Sequence, residues 1–217
     1  MTRATRRQLF PLALLPLFAR PARAADLQQT IAGIEADCGG RLGVALLDSA
    51  SGALSGHRLD ERFPMCSTFK ALLAAAILTK VDAGAEQLSR RIPIAQADVL
   101  SYAPVTKQHV GTSGLSVGEL CEATVTLSDN TAANLLLATL DGPAGLTRTI
   151  RGFGDAITRL DRIEPGLNES IPGDPRDTTT PAAMAQGGLA TVKAIYDQVF
   201  GQKAAPVLAP ALAEAHP

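Results

Sequence analysis

Ser67-Thr68-Phe69-Lys70-Ala71-Leu72-Leu73-Ala74-Ala75-Ala76-Ile77-Leu78-Thr79-Lys80-Val81 is the stretch on which the reading of this chain turns. It holds no Gly or Pro, is rich in helix formers and is apolar on nearly every side, a pattern that predicts a long buried helix over residues 67–81. Its first four residues set a hydroxyl and an amine three positions apart. On a helix that spacing puts both on one face, one turn from each other, so Lys70 can reach the Ser67 hydroxyl. Serine attacks only when a neighbouring base takes its proton, and a helix N-terminus adds positive potential where an oxyanion would form. Alone, the S-x-x-K pattern is equally a helix start followed by a solvated lysine.

Outward from this segment the chain alternates short strands and helices. Toward the N-terminus, residues 42–47 and 53–59 read as two strands joined through the turn residues 48–52, and residues 27–36 as a helix that ends at Gly39-Gly40. Toward the C-terminus a polar connection over 95–114 leads to Ser116 and Glu119, spaced as a capping box that opens another helix. An apolar helix over 131–140 follows, expected to stop at Gly142-Pro143, and then a further helix over 144–153. Residues 160–181 contain Pro165, Pro172, Pro175 and Pro181 and show no period. They form a long loop, which in a compact domain is usually functional. Ser128-Asp129-Asn130 sits at a break between two helices and can project a hydroxyl and an amide into a cleft. Equally, Asp129 or Asn130 caps the helix that begins at Thr131.

Ser-Thr-Phe-Lys at 67–70, Ser-Asp-Asn beginning 61 residues later, and Glu164-Pro165-Gly166-Leu167-Asn168 in the long loop make a three-part arrangement that chance rarely produces. The chain therefore resembles the class A serine β-lactamases, whose marks are S-x-x-K, S-D-N and K-T-G, shared in part with penicillin-binding proteins. The resemblance runs from about Leu42 to Gln186. It takes in Arg58 to Lys70, Leu100-Ser101-Tyr102-Ala103-Pro104 and Gly173-Asp174-Pro175-Arg176-Asp177-Thr178-Thr179-Thr180-Pro181, and it points to the broad-spectrum, cephalosporin-hydrolysing branch. It implies an α/β fold of two lobes, one helical and one built on an antiparallel sheet. It further implies Ser67 as nucleophile, with Lys70, or Glu164 through a water, accepting its proton. By the same resemblance Ser128 relays a proton to the leaving nitrogen, Asn130 holds the substrate amide and Tyr102 lines the cleft mouth. Glu164 and Asn168 hold the hydrolytic water, and Arg162 with Asp177 forms a salt-bridged pair at the neck of the loop. No cofactor or metal is implied.

Composition agrees with a globular protein: 46% of the 217 residues are hydrophobic and 19% charged, and the formal net charge is −1. That charge gives no electrostatic attraction for nucleic acid or an anionic membrane. The resemblance implies a small-molecule β-lactam as partner, and a monomer is the expected state. Arg3, Arg6 and Arg7, an apolar stretch from 9 to 18 and Ala22-Arg23-Ala24 read as a signal peptide over residues 1–24, too short and Pro-interrupted for a stable membrane span. Thr5-Arg6-Arg7-Gln8-Leu9-Phe10 also fits a twin-arginine signal, with ordinary secretion the other option. Either route predicts a periplasmic or secreted protein. Cys38, Cys66 and Cys121 cannot all pair within one chain, and they read as small buried hydrophobes rather than metal ligands. His57, His109 and His216 fall in no metal-binding pattern.

No Lys-Thr-Gly or Lys-Ser-Gly occurs in the sequence. In the family that strand forms one wall of the cleft and supplies a second oxyanion N–H, a donor whose loss costs on the order of 10²–10³ in rate. In related enzymes the cysteine matching Cys66 pairs with one beyond that strand, and no such partner is present. The expectation is a β-lactamase-like domain over 25–186 that lacks the later strands of its sheet, followed by a divergent tail over 187–217 that carries helical spacing at 189–200. A frameshift or truncation explains this best, and activity is expected to be weak. The competing expectations are a penicillin-binding or sensor module that keeps its acyl group, and an inactive fragment.

Overall fold

The computed structural model describes residues 21–188. The basic and apolar leader up to residue 20, the helical pattern at 189–200 and His216 lie outside the described residues. The chain divides after Gly40. The first unit contributes one helix, α1 (Pro21–Cys38), longer at both ends than its apolar spacing predicts.

The second unit opens with the expected hairpin. β1 (Val44–Leu47) runs antiparallel to β2 (Leu54–His57), with Val44 opposite His57 and Leu47 opposite Leu54. Asp48 closes the turn by accepting from Ala50 N at 2.9 Å and Ser51 N at 3.3 Å, the local bonding that favours Asp in turns. β3 (Phe63–Pro64) leads into one 3₁₀ turn over Cys66–Thr68 and then into α2 (Phe69–Asp82). After α2 come β4 (Arg91–Ile92), β5 (Leu115–Ser116), α3 (Val117–Thr126), α4 (Asn130–Ala138), α5 (Gly142–Gly152) and β6 (Thr178–Thr179). Residues 181–188 are helical again. β3 pairs antiparallel with β6, and β4 with β5. The α/β architecture with antiparallel pairing is the one expected. The four two-residue strands were not, because two residues carry no period.

α2 is the centre of the core. Phe69, Leu73, Ala75, Ala76 and Ile77 are fully buried, and α3, α4 and α5 pack around it, which accounts for apolar residues on every side of one helix. Ser116 opens α3 with the expected box: its hydroxyl accepts from Glu119 N at 3.2 Å, and the Glu119 carboxylate accepts from Ser116 N at 2.7 Å.

Three expectations need correction. Ser67 belongs to the 3₁₀ turn, and the α-helix proper starts at Phe69. Gly142-Pro143 opens α5 instead of closing α4: proline lacks an N–H and is at home in a first helical turn. The junction is tight, since a methyl at Gly145 would lie 1.4 Å from the Leu140 carbonyl oxygen. Cys38 is exposed, not a buried hydrophobe. Cys66 and Cys121 are partly buried, and all three thiols are free. Burial pushes the Cys121 thiol up to about 12. Among the described residues no helix is long and apolar enough to cross a membrane.

Candidate active site

The 3₁₀ turn leaves Ser67 exposed while Lys70, one turn on, is buried behind it. Lys70 Nζ lies 3.2 Å from Ser67 Oγ, the contact the S-x-x-K spacing predicts. The ammonium also meets the Ser128 carbonyl at 2.9 Å, Ser128 Oγ at 3.0 Å and Asn130 Oδ1 at 2.6 Å. Glu164 Oε1 is 3.1 Å away. Five oxygens thus surround a group with three hydrogens.

Ser128 stands at the break before α4 with φ +55°, a left-handed conformation that non-glycine residues seldom adopt and that recurs at functional sites. Its hydroxyl donates to Ser67 Oγ at 3.1 Å. Of the two capping candidates, Asp129 is the cap: it accepts from Ala132 N at 2.9 Å. The same buried carboxylate accepts from Val105 N, Thr106 N and Thr106 Oγ1 at 2.9–3.0 Å. Asp129 is therefore turned away from the cleft and fastens the 100–106 segment to α4. Asn130 N donates to the Tyr102 carbonyl at 3.1 Å, which ties Tyr102, 55% exposed, to the start of α4.

Glu164 comes from the long loop, and its side chain is fully buried. Oε2 accepts from Asn168 Nδ2 at 2.6 Å. Oε1 touches the Lys70 ammonium yet has no aligned hydrogen-bond donor, so its charge is met while a lone pair stays open. The backbone of Glu164 is fixed by a residue the sequence reading missed. Asn134 Nδ2 donates to Glu164 O at 2.9 Å and Asn134 Oδ1 accepts from Glu164 N at 3.0 Å. The one available signal was an amide in an otherwise apolar helix, four residues after Asn130. The peptide bond between Glu164 and Pro165 is cis.

A hydroxyl, an ammonium and a carboxylate from three distant segments thus converge. The model of the beta-lactamase enzyme family matches residues 25–208. The fold is similar to an ancestral Gram-negative class A β-lactamase, at 56% identity and TM-score 0.72, over 86% of this chain and 68% of that one. The chain belongs to the class A β-lactamase family. A single-site mutant of the last common ancestor of Gram-negative class A β-lactamases is 58% identical, with TM-score 0.73 and 81% of this chain covered. A putative class A β-lactamase from Rhodopseudomonas palustris is 54% identical, with TM-score 0.74 and 82% of this chain covered. The chain spans 64% and 65% of the length of these two structures.

The neck of the loop in this family member carries the expected ion pair. Arg162 Nε lies 2.5 Å from Asp177 Oδ2, and Asp177 is buried. Asp177 Oδ1 also accepts from the backbone N–H groups of Asp161 at 2.7 Å and Arg162 at 2.9 Å. Asp177 holds the Arg162 guanidinium above its usual range, with Glu169 adding a contact at the far side. Burial of the carboxylate and its three donors set this pair apart from an exposed ion pair of little worth.

Proposed function

We propose that this chain opens the β-lactam ring of penicillins and cephalosporins through an acyl-enzyme on Ser67 and releases the product by hydrolysis. The observation that carries this reading is the placement of Glu164: Asn168 holds one carboxylate oxygen, and the other sits beside the ammonium that contacts Ser67. In the first step Ser67 Oγ bonds to the lactam carbonyl carbon. Its proton passes to Lys70, or through a water to Glu164. The Ser128 carbonyl and Asn130 Oδ1 can only accept, so they hold the Lys70 amine in place beside the Ser67 hydroxyl. Ser128 gives its proton to the ring nitrogen as the C–N bond breaks and regains one from Lys70. Where Glu164 took the first proton, it returns one to Lys70 across their 3.1 Å contact. In the second step Glu164 takes a proton from a water whose oxygen attacks the ester and passes it to Ser67 Oγ as the ester C–O bond breaks.

A module that keeps its acyl group has no use for a carboxylate held in this way, which disfavours the sensor reading. The basic, apolar and small-residue leader supports export to the periplasm or medium. The small net charge supports action on small molecules rather than on nucleic acid.

The test is turnover of nitrocefin by the full chain, with intact-mass detection of a penicilloyl adduct. Ser67→Ala is expected to abolish both signals. Glu164→Gln is expected to leave the adduct and slow its loss on the order of 10²-fold or more, the scale of a missing general base. Folded protein that neither turns over substrate nor gains the mass of a penicillin overturns the reading. The measured rate also decides whether hydrolysis is weak.

A further inference from the structure

Arg62 lies five residues before Ser67, and one of its nitrogens spans the long loop. Arg62 Nη1 donates to the Ile157 carbonyl at 3.2 Å and to Thr178 Oγ1 at 3.0 Å. Ile157 lies just before the loop and Thr178 near its far end, so one guanidinium holds both ends of the segment that carries Glu164. It does so from the position just before β3, which leads to the nucleophile. Its partners are a carbonyl and a hydroxyl, so the side chain is used for its planar, directional donors. The surrounding contacts run the same way. Phe63 and Pro64 pair with Thr179 and Thr178, Met65 N donates to Asp177 O at 2.9 Å, and Arg159 N donates to Thr178 O at 3.1 Å. Arg62 is itself held in place, since its carbonyl accepts from Arg41 Nη2 at 3.2 Å.

We propose that Arg62 is a positioning residue for Glu164, setting how the loop neck sits on β3 and hence where the carboxylate lies relative to Ser67. Its effect falls on one step. Ser67 sits on the 3₁₀ turn, Lys70 on α2 and Ser128 just before α4, and the Arg62 hydrogen bonds reach none of these, whereas Glu164 rides on the loop. Loss of the guanidinium displaces the water-activating group and leaves the attacking and proton-relaying groups in place. The inference rests on the acyl-enzyme reading for its kinetic consequence and on geometry alone for its structural one.

The test compares the full chain with Arg62→Ala, Thr178→Val and the double variant, by two readouts. The first is the rate of gain and of loss of a penicilloyl mass. The second is amide hydrogen exchange. For Arg62→Ala, loss of the acyl group is expected to slow about tenfold while its gain changes by less than about twofold, the scale of one charge-assisted hydrogen bond acting on one barrier. Exchange is expected to quicken over residues 158–179 and to stay unchanged in α2 and α4. The double variant is expected to fall short of the sum of the singles, because both remove one contact. Equal slowing of gain and loss overturns the proposal, as does exchange that is unchanged in the loop or faster throughout the fold. If the unaltered chain takes up no penicilloyl group, the acyl-enzyme reading fails by itself and exchange alone decides the role of Arg62. If Arg62→Ala does not fold, Arg62→Lys is judged by the same outcomes.

Discussion

Asn134 shows how much of this site depends on a residue that has no part in the chemistry. It is an amide on α4 whose two ends satisfy the N–H and C=O of Glu164. The peptide groups on either side of a buried carboxylate have few other partners, and a buried polar group left unpaired costs about 1–3 kcal/mol. Asn134→Ala is therefore expected to lower the free energy of unfolding by about that amount in urea melts. It is also expected to lengthen the life of the penicilloyl adduct, because the backbone that aims Glu164 is released. An unchanged adduct lifetime in a destabilised variant would assign Asn134 to folding alone. Asp129 is the same lesson from the other side: its place in a recognisable Ser-Asp-Asn triplet suggests chemistry, yet all its acceptor capacity goes to backbone and Thr106 donors.

At the level of elements, two carboxylates that bind arginine are held well below the usual carboxylate range. Arg90, with two hydrogen bonds, draws Glu86 down to about 2 against the opposing effect of burial. Arg176 draws Asp174, on the long loop, down to about 2 in the same way. A carboxyl with a depressed folded value stabilises the native state above its unfolded value, and that contribution is lost as pH falls toward the folded one. For Glu86 the window lies between its ordinary 4.5 and about 2. Urea stability is expected to fall across that interval, and Glu86→Gln is expected to flatten the fall while lowering stability at neutral pH. A variant whose acid limb matches that of the unaltered chain would remove Glu86 from the account. The elements themselves were legible wherever a pattern exceeded about one turn. α2, α3 and the hairpin follow from helix propensity, the capping box and turn chemistry. The α4–α5 junction was misread because Gly-Pro both ends and begins helices, and here it begins one.

For the whole molecule the core and the site are one construction, since α2 carries Lys70 and also fills the centre. Leu73 is fully buried in it, whereas Leu46 on β1 is 58% exposed. Leu73→Ala is expected to cost about 2–5 kcal/mol, and Leu46→Ala less than about 0.5 kcal/mol, a contrast that chemical denaturation reads directly. The sequence motifs picked out Ser67, Lys70, Ser128, Asn130, Glu164 and Asn168, which the fold brings together, because such motifs restrict residue types at fixed spacing. Asn134 and Arg62 were invisible, since bonds between segments 30 and 116 residues apart leave no local trace. α4 presents Asn130 to the ammonium of Lys70 and Asn134 to the backbone of Glu164. A rigid rod that touches both halves of a reaction centre moves them in common: a tilt of α4 would detune bond making and bond hydrolysis together. On the acyl-enzyme proposal, a shift of the proline-rich segment would change how long a drug stays attached and leave the speed of its capture as it was.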